Sequence, residues 1–220
     1  MQDFAALRQR LVDNQIRPSE VTDHELIKAF LAVPRELFVA PEERPFAYSD
    51  RELRYSHAAP GRRLIDPVQL ARLIQMLSVR LDSKIMVIGC GTGYSAAILA
   101  HMAGAVVAVE EDEQLAATAA RLLPAIGAQA VSVVRTELTR GCPEQAPYDA
   151  ILVDGAVEVV PAAVLSQLKP HGALAAIEKS ERISRAMLFE RVGDDTSKRP
   201  RFEAWATLLP GFERERSFVF

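Results

Sequence analysis

The sequence predicts an α/β fold: a mainly parallel sheet covered by helices on both faces. Short apolar runs of strand length recur between residues 85 and 176, helix-like stretches separate them, and the first run stops at a glycine-rich turn. Apolar runs without polar alternation describe strands buried on both faces, and helices between them supply the crossovers that parallel pairing needs.

In chain order, helical segments are expected near residues 3–12 and 22–32. Thr22 reads as the N-cap of the second, with Glu25 as its capping-box partner and Leu26, Phe30 and Leu31 at helical spacing. From Pro34 to Pro67 the chain is rich in Pro, Arg and Glu and lacks a period, which predicts an irregular layer. Such a long segment in a compact protein usually serves function or covers a site. Leu70, Leu73, Ile74 and Leu77 then form a helical stripe. Strands follow at 85–88, 106–109, 131–134, 150–153 and 173–176, with helices at 113–123 and 161–168. Ala186–Val192 and Phe202–Leu209 flank a polar turn, residues 193–198, and predict a closing antiparallel pair. Phe202, Ala204 and Ala206, with Trp205, read as sheet packing. The whole, residues 1–220, is expected to be one domain, with helices and a covering layer over 1–66 and the α/β core over 67–220.

Composition narrows the function. The 220 residues carry 26 Lys+Arg against 29 Asp+Glu, and 49% are apolar, as in soluble globular domains. No basic surface is left for a nucleic-acid backbone, so no nucleic-acid partner is expected. The most apolar segment, Ala103–Val109, is too short to span a bilayer, so no membrane partner is expected either. Met1-Gln2-Asp3-Phe4-Ala5 has no basic stretch leading into an apolar one, and a cytoplasmic protein is expected. Cys90 and Cys142 lack C-x-x-C spacing, so neither a metal cluster nor a disulfide framework follows. The oligomeric state is not legible.

The sharpest local signal is Gly89-Cys90-Gly91-Thr92-Gly93, between the first strand and a helix starting near Tyr94. Glycines there permit a tight turn and close approach of a ligand to the backbone. Glu110 ends the next strand roughly 20 residues later, where a carboxylate can accept from both ribose hydroxyls of an adenosine. A dinucleotide fingerprint wants glycine at its sixth position, and here that residue is Tyr94. The G-x-G-x-G form instead suits S-adenosylmethionine, which has no phosphate; NAD stays as the alternative. The candidate cofactor set is therefore Gly89, Cys90, Gly91, Thr92, Gly93 and Glu110 with Glu111 beside it, extended by two acids at later strand ends, Glu137 toward adenine and Asp154 toward the methionine end. Within that set Cys90 reads as a small side chain of the turn. Glu137 and Asp154 read equally well as helix caps or solvated charges.

At this point the chain resembles the protein-L-isoaspartate O-methyltransferases along nearly its whole length. The resemblance is carried by Val33-Pro34-Arg35-Glu36-Leu37-Phe38-Val39, Ala47-Tyr48-Ser49-Asp50 and the glycine turn with Tyr94-Ser95-Ala96-Ala97. It continues through Val109-Glu110, Ala146-Pro147-Tyr148-Asp149, Gln167-Leu168 with Gly172, and Leu208-Leu209-Pro210. It implies a Rossmann-like class I S-adenosylmethionine-dependent methyltransferase, cytoplasmic, acting on isoaspartyl-containing proteins or peptides and so starting their repair.

The chain departs from the family pattern at three places. The family's Thr-Ile-Ser-Gln-Pro is here Arg63-Leu64-Ile65-Asp66-Pro67, which puts Ile65 where the serine at the reacting carboxylate should be. The glutamate two places before the first glycine is Val87, and the Gly-Asp-Gly after the third strand is Thr136-Glu137-Leu138. A carboxylate acceptor is already ionised at neutral pH, so no general base is needed and alignment supplies the rate. The lost hydroxyl removes a positioning hydrogen bond, roughly 1.5–3 kcal/mol, on the order of ten- to a hundred-fold in rate. Asp66, His57, Arg62 and Arg63 lie near the lost serine. Asp66 would repel an anionic acceptor, whereas His57, Arg62 and Arg63 could supply positive donors to it; His57 reads more readily as a plain loop residue, and the arginines as solvated surface charges. The catalytic residue therefore stays unassigned. Two further readings stand beside the first: a methyltransferase with another acceptor, and a non-catalytic member that binds a nucleoside ligand or a partner protein.

Overall fold

The computed structural model describes residues 2–51, 53–55, 61–193 and 195–214. Two helices open the chain, α1 (Phe4–Leu11) and α2 (His24–Ala32). Asp23, not Thr22, caps α2: its carboxylate accepts from the amides of Glu25 and Leu26 at 2.9 and 3.1 Å. Thr22 turns its own amide to Gln75 Oε1 at 2.7 Å instead. The expected irregular layer is built of short 3-10 turns at Arg35–Leu37 and Pro41–Phe46 and a pair of antiparallel strands, β1 (Leu53–Arg54) and β2 (Arg63–Leu64).

The core follows as α3 (Pro67–Met76), β3 (Lys84–Ile88), α4 (Tyr94–Ala100), β4 (Ala105–Glu110), α5 (Glu113–Ala125), β5 (Val131–Arg135), β6 (Tyr148–Val157), α6 (Ala162–Leu165), β7 (Leu168–Glu178), β8 (Arg185–Val192) and β9 (Asp195–Glu203). Strands β3 to β9 form one sheet in the order β5-β4-β3-β6-β7-β8-β9, parallel through β7 and antiparallel beyond it.

Along β3 the side chains alternate between two apolar layers. Ile85 and Val87 face the layer that holds α2, α3 and α4, whereas Met86 and Ile88 face the layer with Val109, Val153 and Leu209. That two-sided burial is why the strands read as unbroken apolar runs.

Three expectations are corrected. The helix expected over 161–168 is a single turn, because Leu168 already pairs with Tyr148 as the start of β7. The last strand is Asp195–Glu203 rather than 202–209, since Gly193 (φ +65°) turns the chain at once and Val192 pairs with Asp195. Trp205 therefore lies beyond the sheet, 57% exposed, with its amide on Gln69 Oε1. Strand β6 runs through Asp154 to Val157 with an irregular register after Leu152, so Asp154 sits within the strand and not behind it.

The order of the sheet reverses between β3 and its neighbours β4 and β6. In open parallel sheets, ligands bind beyond the carboxyl ends of the strands at such a reversal. The glycine turn occupies that place.

Candidate active site

The turn from Gly89 to Gly93 links β3 to α4. Gly91 (φ +57°) and Gly93 (φ +100°) adopt left-handed backbone that a side chain would strain. Thr92 Oγ1 donates to the Phe38 carbonyl at 2.7 Å, tying the turn to the layer of residues 34–67. Cys90 is wholly enclosed, and burial pushes its thiol well above the ordinary range, which suits a packed small side chain.

Glu110 closes β4 and is fully buried. Its Oε2 accepts the Gly91 amide at 2.8 Å; its Oε1 accepts the amides of Glu111 and Asp112 at 3.0 and 3.2 Å. Arg62 clamps both oxygens, Nη1 donating to Oε1 at 3.1 Å and Nη2 to Oε2 at 2.9 Å. Arg62, expected at the surface as a solvated charge, is thus a buried partner of the strand-end acid, with only 6% of its side chain exposed. Burial by itself lowers the guanidinium's pKa, but the charge and hydrogen bonds of Glu110 outweigh that and leave it raised.

Asp154 lies in the same crevice, enclosed in β6. Ser95 Oγ donates to its Oδ2 at 2.5 Å, while Oδ1 has no partner among the described residues. Burial pushes its carboxyl up to about 6, against the lowering pull of Ser95, Arg62 and Arg35. Beside it stands Tyr55, just past β1, whose buried hydroxyl likewise has no partner among the described residues and is raised well above the ordinary phenol value, first by burial and then by the Asp154 charge. The Tyr55 ring lies so close over Gly91 that a methyl group there would overlap it. Sequence reasoning missed Tyr55. The available signal was the apolar-charged-aromatic alternation of Leu53-Arg54-Tyr55, which the structure shows as buried-exposed-buried.

The other expected residues are dispersed. Glu111 is half-buried, with Oε2 3.5 Å from the Leu138 amide, and Glu137 is exposed. Asp66 is the N-cap of α3, its carboxylate accepting from Val68 and Gln69 at 3.0 Å. Its position thus follows from the helix start alone, with Pro67 as first helical residue. Ile65 is buried in the core, and its carbonyl accepts from Arg35 Nη2 at 2.7 Å. Arg35 also donates Nε to the Ala47 carbonyl at 3.0 Å and lies over the Tyr94 ring. Arg63 is exposed, and His57 lies outside the described residues. Among the described residues no cluster of His, Cys, Asp and Glu could hold a metal ion, and no helix is long and apolar enough to cross a membrane.

The backbone of the crevice suits a nucleoside: a glycine turn that permits close approach, and an acid pinned by loop amides at the next strand end. The side chains of this conformation do not. Arg62 takes both oxygens of Glu110, Tyr55 covers Gly91, and Leu209 packs against Gly89 and Gly155. In this arrangement those side chains take the space next to the turn and both oxygens of the acid.

A strand, glycine turn and helix at the reversal of such a sheet, with an acid ending the neighbouring strand, define a class I S-adenosylmethionine-dependent methyltransferase fold. The sequence profile of the protein-L-isoaspartate(D-aspartate) O-methyltransferases matches residues 6–205. The protein-L-isoaspartate O-methyltransferase of Roseiflexus castenholzii is 34% identical over 192 residues, covering 87% of this chain and 86% of the relative. Protein-L-isoaspartate O-methyltransferase 1 of Rhodopseudomonas palustris is 37% identical over 171 residues, covering 78% of this chain and 69% of its own. A solved protein-L-isoaspartate O-methyltransferase superposes with a TM-score of 0.81 at 27% identity, over 93% of this chain and 66% of that one. The Plasmodium falciparum structure described as a putative member in complex with S-adenosyl-L-homocysteine superposes at 0.78 over 95% of this chain and 99% of its own; at 15% identity it shows the fold. The chain belongs to the protein-L-isoaspartate(D-aspartate) O-methyltransferase family.

Proposed function

We propose that the chain is a cytoplasmic protein methyltransferase that uses S-adenosylmethionine and acts on the isoaspartyl side carboxylate of damaged proteins. The observation that carries this reading is Glu110, buried at the end of β4 with its two oxygens fixed by three loop amides and facing the glycine turn. Held in that way, the carboxylate itself is already in place, and it can accept two neighbouring hydroxyls once Arg62 has left its two oxygens. A glycine turn can bring backbone rather than side chain to a ligand, and the bond from Thr92 to Phe38 ties it to the layer that in this reading covers the acceptor peptide.

The test is transfer of a labelled methyl group from S-adenosylmethionine to an isoaspartyl peptide, with the matched aspartyl peptide beside it. Label on the isoaspartyl peptide alone supports the reading, and label on neither overturns it. A second reading, methylation of another acceptor, is favoured by one feature. Ile65 is buried in the core at the position of the family's serine and offers no hydroxyl to a carboxylate. Ile65→Ser then leaves isoaspartyl activity unchanged under the second reading and raises it under the first.

A further inference from the structure

We propose that Tyr55 and Arg62 form a built-in plug of the crevice at the glycine turn, and that a nucleoside ligand enters only by displacing them. The inference rests on the reading of that crevice as the S-adenosylmethionine site and adds how the site is controlled.

The plug imitates the ligand it excludes. Arg62 presents two N–H donors, 3.1 and 2.9 Å from the two oxygens of Glu110, and a ribose would present two hydroxyl donors to the same pair. Tyr55 fills the space over Gly91 with a flat ring, and Leu209 closes the side toward Gly89 and Gly155. Tyr55 and Arg62 are 4% and 7% exposed, so this is a seated arrangement rather than a surface contact.

The same residues are imperfectly satisfied. Among the described residues, the Tyr55 hydroxyl and Asp154 Oδ1 are both buried without a hydrogen bond. Each unpaired buried group opposes the closed state. A ligand carrying an ammonium or hydroxyl donor could satisfy Asp154, and expulsion of Tyr55 would return its hydroxyl to water. The surrounding backbone is anchored. The Ala40 amide bonds the Arg54 carbonyl at 3.0 Å, and Arg35 holds the carbonyl of Ile65 at 2.7 Å. In this proposal the movement is that of Tyr55 and Arg62, beside the two-residue strands β1 and β2, while the two anchoring bonds are kept.

If the open state is a minor one, apparent affinity is lowered by its population, so an open fraction of about 10% weakens binding about tenfold. The experiment is calorimetric titration of the full chain and of its Tyr55→Ala and Arg62→Gln variants with S-adenosylhomocysteine, with hydrogen exchange of the wild type in its presence and absence. We expect Tyr55→Ala to bind about tenfold more tightly or better. We also expect ligand to increase exchange at the amides of Leu53 to Tyr55 and of Arg63 and Leu64. Equal Kd values with unchanged or slower exchange there overturn the plug while leaving the crevice as the cofactor site. Absence of binding by all three proteins overturns both. The exchange measurement uses the unmodified chain and decides the matter even if a variant does not fold.

Discussion

The two ends of the central sheet carry comparable charges in opposite environments. At the carboxyl end, Arg62 and Glu110 pair with 6% and 0% of their side chains exposed, and Tyr55 and Leu209 pack against the neighbouring glycines. At the amino end, Lys169 and Asp149 pair at 2.8 Å but remain 41% and 30% exposed, beside a cavity of about 300 Å³ that Arg80 and His171 also line. That cavity lies at the end that the fold leaves without a ligand-binding turn, whereas at the end with the turn side chains cover the glycines. Openness therefore does not mark the functional end here. The glycine backbone and the fixed acid do, and the packing of two side chains conceals them.

Removing one partner from each pair is expected to separate the ends most sharply. Glu110→Ala strands the Arg62 guanidinium in a dry site and strips three loop amides of their acceptor. Breaking a buried pair in this way costs about 3–5 kcal/mol. Urea denaturation should show a correspondingly lower midpoint with an unchanged slope. A loss under about 1 kcal/mol, the range of exposed pairs, would show that the pair is hydrated in solution and the contrast between the ends unreal.

Much of the carboxyl end was legible because its signals are local. A strand of Ile85 to Ile88, glycines directly behind it and an acid ending the next strand are neighbours in sequence, so spacing alone aligns them. Arg62 was not legible, and Tyr55 only through its alternation with Leu53 about Arg54, because their burial comes from a segment without a sustained period folding back across the crevice. Asp66 shows a smaller lapse. Asp-Pro before an apolar helical stripe is an N-cap signature, yet proximity to the family's serine position drew it toward the catalytic set. The shift of the last strand has a similar cause, since the apolar content of residues 202–209 outweighed the turn that Gly193 makes.

A second, somewhat smaller effect is expected in pH dependence. Asp154 has its carboxyl raised by burial from 3.8 to about 6, so the fold disfavours its charged form. A group raised on folding contributes stability that is fully present below its unfolded value and is lost as pH rises through its folded one. Wild-type stability should therefore fall between about pH 4 and 6 on this account, by on the order of 2–3 kcal/mol. Asp154→Asn keeps an acceptor for Ser95 and removes the charge, so its profile should be flat through that window and it should be the more stable protein at pH 7. Parallel profiles for the two proteins would mean that Asp154 is solvated in solution and that the crevice stands open.

The smallest effect is expected at the amino end. Lys169→Ala removes two bonds from Asp149, at 2.9 and 2.8 Å, but the Lys84 amide still donates to Oδ2 at 2.8 Å and water reaches the rest. The cost should be at most about 1 kcal/mol and should shrink with added salt, because exposed pairs are screened. Although burial alone would raise Asp149, its bonds to Lys169 and Lys84 hold it below the ordinary carboxylate range. The pair's contribution is then present at neutral pH and disappears as pH falls through and below the unfolded value of 3.8. The difference between wild type and Lys169→Ala should accordingly be greatest at neutral pH and low salt and vanish in acid. A cost near that of Glu110→Ala would place a dry, load-carrying pair at the amino end too, and the distinction between the two ends of the sheet would rest on the glycine turn alone.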